Sequence, residues 1–200
     1  MKSNYETIIQ QNLESLFAGD PQERCLAAGG RMEGRMLALR AFGAECRMTR
    51  EGIWLGDQAQ NGPLGIILSL YALHAVSEPL QMEPFKAFKE APGSAPYAGA
   101  FVTHTEQILV PKVDRIMQDR KAIIERLDGR EAPAHISADA AMVVCPLPRI
   151  ALCYIFYEAD EDFPASVTCL YSHNAYKFIP VDGLADVGEY TSRAILALVA

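Results

Sequence analysis

The run Arg149-Ile150-Ala151-Leu152-Cys153-Tyr154-Ile155-Phe156-Tyr157 constrains the fold of this chain more than any other stretch. In an extended strand, Ile150, Leu152, Tyr154 and Phe156 fall on one face, and Ala151, Cys153 and Ile155 on the other. Neither face offers a polar surface to water. Such a strand belongs in the interior of a sheet, covered on both sides. Met142 to Cys145 and Ala165 to Tyr171 read as its neighbours, with a turn at Pro146-Leu147-Pro148 and a loop from Glu158 to Pro164 between the strands.

A second strand set lies earlier. Met36 to Leu39, Ala44 to Met48 and Ile53 to Leu55 are short apolar pieces separated by Gly34, Gly43 and Gly52, the pattern of an antiparallel meander. Helical signals surround it. Ser3 with Glu6 forms a capping box ahead of Tyr5, Ile8, Ile9, Leu13, Leu16 and Phe17 at helical spacing. Asp20-Pro21 opens a second, short helix. Asn61-Gly62-Pro63 opens a third, apolar on nearly every side and therefore the buried central helix, closing at Pro79. Ala100 to Gln107 is a weaker helical stretch because of Val102, Thr103 and Thr105. Lys112 to Leu127 forms one or two helices ending at Asp128-Gly129, and a capping box of Asp186 with Glu189 opens a final helix through Leu198. The expected fold is α+β: an antiparallel sheet built from the early meander and the late strand set, packed by helices including the buried central one. The two strand sets can join in one sheet. No repeat or linker divides the chain, so residues 1–200 are expected to form a single domain.

The formal net charge of -7 excludes a nucleic-acid binder held by a general basic face. No apolar run reaches the roughly 18 residues of a membrane span. Met1-Lys2-Ser3-Asn4-Tyr5-Glu6 carries no apolar signal core. The five cysteines are odd in number and scattered, which fits buried, reduced thiols in a cytoplasmic protein. The expected partner is thus a small molecule or another protein, with neither nucleic acid nor membrane. Charge is nonetheless uneven. Arg31, Arg35, Arg40, Arg47 and Arg50 outnumber Glu33, Glu45 and Glu51, whereas Glu158, Asp160, Glu161 and Asp162 form an acidic cluster.

That acidic loop is the most distinctive chemical feature. Crowded carboxylates repel one another, and a hard cation would relieve them. The sequence departs from an EF-hand after its Asp-x-Asp start, and a solvated turn accounts for the same residues. Phe163-Pro164 would anchor the loop by packing and by fixing the backbone. No His or Cys pair stands at metal-ligand spacing, so no metal site is assigned. No nucleophile elbow, phosphate loop or dinucleotide fingerprint is present, and no catalytic residue is assigned. Pro92-Gly93-Ser94 has too few glycines to cradle a phosphate but could shape a pocket rim. Tyr97, Phe101, Tyr171, His173 and Tyr176 are amphipathic or aromatic groups near loops, suited to a ligand pocket or to a core boundary. The candidate ligand-binding residues are therefore Asp160, Asp162, Phe163, Pro92, Gly93, Tyr97 and His173.

Several segments resemble a known family. They are Gly52-Ile53-Trp54-Leu55, Leu70-Tyr71, Phe88-Lys89-Glu90-Ala91-Pro92-Gly93 with Tyr97, Pro146-Leu147-Pro148-Arg149, Asp160-Glu161-Asp162-Phe163-Pro164-Ala165, and Phe178-Ile179-Pro180 with Asp182-Gly183-Leu184. In order and spacing the chain resembles the bacterial and archaeal domain of unknown function numbered 3786, over most of its length. It departs at Tyr157, where a Trp is usual, and at Leu170-Tyr171-Ser172, where Leu-Phe-Asp is usual. The resemblance implies a setting in anaerobes. Some similar proteins carry an iron–sulfur segment like that of corrinoid proteins, and this chain lacks the grouped cysteines such a segment needs. The resemblance implies no specific cofactor or oligomeric state. The expected function is a non-catalytic binding or accessory module in anaerobic metabolism, serving a small cofactor or a protein partner. A small carboxylate-based enzyme, with or without a metal, and a structural oligomerisation module are the alternatives.

Overall fold

A computed structural model describes residues 3–200. Met1 and Lys2, on which the reading of the amino terminus partly rests, lie outside the described residues. Helix α1 (Asn4–Ala18) starts at the expected capping box, where the Glu6 amide donates to Ser3 Oγ at 3.2 Å and the Ser3 amide to Glu6 Oε2 at 2.6 Å. Its buried face is Ile9, Leu13, Leu16 and Phe17. Helix α2 (Pro21–Ala27) follows, with Asp20 Oδ1 accepting from the Gln22 and Glu23 amides.

The meander is a sheet of its own. Strands β1 (Arg31–Glu33), β2 (Met36–Ala41), β3 (Ala44–Met48), β4 (Ile53–Leu55) and β5 (Gln58–Ala59) pair in sequence order, all antiparallel. Phe42 and Gly43 join β2 to β3 with φ of 46° and 77°, the two positive angles of a tight hairpin turn. Glycine is required at the second position for a further reason: a Cβ on Gly43 would stand 2.1 Å from the Arg126 carbonyl oxygen.

Helix α3 (Pro63–His74) is the buried helix. Ile67, Leu68, Ser69, Tyr71 and Ala72 are all inside. It ends before the expected stop at Pro79, because Ala75 already turns to an extended ψ of 136°. Helix α4 (Ala98–Phe101) widens into a π-helical stretch over Val102–Gln107. The β-branched residues there do not end the helix; they lie in its wide turn. Helix α5 (Val113–Arg126) matches the expected Lys112 to Leu127 segment. Helix α6 (Val181–Leu198) begins directly after Pro180, so Asp186 and Glu189 lie inside the helix and cap nothing.

The second sheet contains β6 (Lys86–Ala87), β7 (Arg130–Glu131), β8 (Ala140–Leu147), β9 (Ile150–Tyr157) and β10 (Ser166–Tyr171), in the order β6-β10-β9-β8-β7. The doubly apolar segment, β9, is its middle strand. Ile150, Leu152, Tyr154 and Phe156 join the main core, while Ala151 and Cys153 join a smaller cluster covered by Leu80, Met82, Phe85, Ala132 and Ile136. Pro146 and Leu147 belong to β8 and not to the turn, since pairing resumes at Leu147 after an irregularity that begins at Val144.

The α+β class holds, but the two strand sets do not join in one sheet. Both edges of β2 are already taken, by β1 and β3, so no ladder to β8 can form. The hairpin tip reaches across, with the Phe42 amide donating to the Pro146 carbonyl at 2.8 Å. The main hydrophobic core nevertheless draws on both sheets, from Leu37, Leu39 and Met48 to Val144, Leu152 and Phe156. Tyr71 ties α3 into this junction: its hydroxyl donates to the Ala28 carbonyl at 2.8 Å and accepts from the Arg149 amide at 3.0 Å. Among the described residues, no helix is long and apolar enough to cross a membrane.

Candidate functional site

Strand β10 alternates in the expected manner, with Val167, Cys169 and Tyr171 inward. Tyr171 is its last residue and pairs with Lys86 of β6 on one side and Leu152 of β9 on the other. Its buried hydroxyl donates to the Leu184 carbonyl at 2.7 Å. Burial pushes its phenol well above the ordinary range, so the hydroxyl stays neutral. The ring lies 6.1 Å from Phe88 and 5.8 Å from Phe101, which themselves stack at 4.6 Å.

Beyond Tyr171 the chain is held by side chains in place of a ladder. The Ser172 amide donates to the Ala151 carbonyl at 2.8 Å, and Ser172 Oγ accepts from the Ala151 amide at 3.2 Å. Asn174 uses both ends of its amide: Oδ1 accepts from Gln81 N at 2.9 Å and Nδ2 donates to the Pro79 carbonyl at 3.0 Å. Between them stands His173, half-buried, its backbone amide donating to the Met82 carbonyl at 3.3 Å. Its Nδ1 is buried and has no hydrogen-bond partner among the described residues.

His173 lines a cleft of about 190 Å³ with Phe88, Pro92, Tyr171 and Ser172, while Lys86, Glu90 and Tyr176 supply polar groups around it. The structure thus brings together two of the expected residues, Pro92 and His173. Gly93 follows Pro92 with φ of 77°, a turn conformation that suits glycine, and a Cβ there would meet only Val181. Tyr97 lines a different, smaller cavity of about 70 Å³ with His104, Thr105, Asp186 and Glu189. Lys86, Glu90 and Ser172 were not singled out as ligand-binding residues. β6 reaches the cleft by pairing with β10, a contact no local pattern announces.

The acidic loop stands apart from this cleft. Asp160 Oδ1 accepts from the Asp162 and Phe163 amides at 2.8 and 2.7 Å, and the Asp160 amide donates to the Phe163 carbonyl at 2.9 Å. That carboxylate closes its own turn. Phe163 is 71% exposed, so its ring does not anchor the loop by packing as expected. No set of three His, Cys, Asp or Glu side chains among the described residues is arranged to hold a metal ion.

The five cysteines are free, and four of them are buried. Burial raises every one of the thiols, Cys46 and Cys153 to about 12. Burial thus disfavours the thiolate form of each. Cys153 pairs in register with Leu170 and Cys169 with Tyr154, so the two sulfurs belong to opposite faces of the sheet.

The model of a domain of unknown function, DUF3786, matches residues 20–194. The chain belongs to the DUF3786 family. No curated protein and no solved structure matches it. Two segments on which the DUF3786 resemblance was read have distinct physical roles here. Pro148-Arg149 clasps the two halves of the core: Arg149 Nε donates to the Ala27 carbonyl at 3.3 Å, and a Cβ on Gly29 would strike Pro148 Cβ at 2.7 Å. Phe88 to Pro92, by contrast, forms one wall of the cleft. Ser172 also lines it, where its hydroxyl takes the Ala151 amide.

Proposed function

We propose that this chain is a non-catalytic binding module, a cytoplasmic accessory in anaerobic metabolism, and that its ligand is a small molecule seated at the end of β10. The observation that carries the reading is the unpartnered Nδ1 of His173 beside a cleft. A buried polar atom without a partner is costly, and a ligand hydroxyl or carbonyl offers it one. Phe88 and Tyr171 give the cleft an apolar wall, and Phe101, stacked on Phe88, backs it. At about 190 Å³ it admits one ring or one head group, not a large cofactor buried whole. The raised thiols support binding over nucleophilic chemistry. Support for the anaerobic setting comes from the family resemblance alone, and for the cytoplasm from the reduced thiols.

The test is native mass spectrometry of the full chain incubated with a small-molecule extract of an anaerobe. A discrete adduct is expected on the native chain and not on His173→Leu. An adduct that survives His173→Leu, or no adduct at all, sinks the reading.

A further inference from the structure

A second cleft lies between the corner joining α1 to α2 and the neighbouring tips of the first sheet. It measures about 710 Å³, within the range of small-molecule sites. Phe17, Met32 and Met36 contribute apolar surface, and the two methionines are flexible enough to adapt to a guest. Arg35 and Arg50 supply its positive charge.

Three acids, Asp20, Glu33 and Glu51, also line this cleft and offset the arginines' charge, but each has a hydrogen-bond partner within the fold. Asp20 Oδ1 caps α2. Glu33 Oε1 accepts from Arg31 Nε at 2.6 Å. Glu51 accepts from the Thr49 hydroxyl. That bond first, then a backbone hydrogen bond, and after them the charges of Arg50 and Arg35 hold the Glu51 carboxyl below its usual range. The arginines keep spare donors. Arg50 gives one Nη2 bond to the Phe17 carbonyl. Arg35 makes no hydrogen bond or ion pair among the described residues, whereas Arg31, Arg40 and Arg47 are paired with Glu33, Asp128 and Asp57. Unused forked donors beside apolar surface select an anion with an apolar tail: the guanidinium binds a carboxylate or phosphate head bidentately, and the tail covers the methionines.

We infer that this cleft is a second binding site, separate from the His173 cleft, for a small organic anion carrying an apolar tail, with Arg35 and Arg50 holding the head group. The experiment is calorimetric titration of the full chain with decanoate, decyl phosphate, decanol and inorganic phosphate. Both amphiphilic anions are expected to bind, with affinity that falls as salt is added. Their relative affinity identifies the preferred head group. Decanol and inorganic phosphate should each bind at least about tenfold more weakly, the scale of one lost charge-assisted hydrogen bond. Arg35→Gln breaks no bond within the fold and should keep the native melting temperature while weakening both anions at least about tenfold. Arg115→Gln, which removes the same charge from α5, serves as the control and should leave them within about twofold, a difference of about 0.4 kcal/mol. Decanol binding as tightly as decanoate, no binding by either anion, or equal weakening in Arg35→Gln and Arg115→Gln would overturn the inference.

Discussion

Tyr71 carries a hydroxyl into the core with both of its roles filled, donating to Ala28 and accepting from Arg149. Tyr71→Phe leaves a carbonyl and an amide without that partner. It should lower the free energy of unfolding by about 1–3 kcal/mol, measured by urea denaturation. Glu106 behaves differently. Burial raises its carboxyl, partly offset by the bond it accepts from the Cys169 amide at 2.9 Å. The folded state therefore holds its proton to higher pH than the unfolded chain does. As pH rises from the ordinary glutamate range to the raised folded value, the unfolded chain ionises first and stability falls; above that value the loss is complete. Glu106→Gln keeps an oxygen for Cys169 and removes this titration. Denaturation curves between about pH 4 and pH 7 should show the variant at least as stable as the native chain at the upper end, with a smaller decline over the interval. Equal declines in both proteins would refute the assignment.

At the scale of elements, Gly43 makes the sharpest prediction. Its φ is 77°, and an added Cβ would lie 2.1 Å from the Arg126 carbonyl oxygen. Gly43→Ala should cost about 2 kcal/mol or more, because both the turn and the approach of α5 are disturbed. The same substitution at Gly34, whose φ is also positive but whose surroundings are open, separates the two contributions. Much of this architecture was legible in the residues. The two apolar faces of β9 required a middle strand, and a middle strand it is. Ser3 with Glu6 read correctly as a cap, whereas the same spacing at Asp186 with Glu189 did not, because Pro180 starts α6 earlier. The separation into two sheets was hidden, since it depends on which edges of β2 are used and not on β2's own pattern. The candidate site was half legible. Pro92 and His173 were named, but their meeting depends on β6 pairing with β10 across more than eighty residues of chain. The arginine excess was visible as composition; that Arg35 alone among the five lacks a side-chain bond among the described residues could be read only from the folded chain.

Across the whole molecule, one core serves two sheets, and the ties between the halves are few and specific: Phe42 to Pro146, Tyr71 to Arg149, Arg149 to Ala27, and Arg40 Nη2 to Asp128 Oδ1 at 2.9 Å. Arg149→Ala should weaken the joint without altering either sheet. Hydrogen exchange should then show faster exchange at Phe42, whose amide crosses the joint, while the central amides of β9 stay slow. Uniform acceleration would mean that the joint and the sheets unfold as one unit.

The segment from Pro79 to Met82 lies over Cys153, and Asn174 grips it at two backbone points. A cover held by two bonds from one side chain and one from the His173 amide to the Met82 carbonyl works as a latched door. It can swing without the sheet behind it coming apart, so its motion has its own clock. Cys153 is that clock's hand, reacting with a thiol reagent only while the door stands open. In Asn174→Ala two of these three fastenings are gone, and Cys153 should be labelled faster while Cys169, on the other face of the same sheet, keeps its native pace.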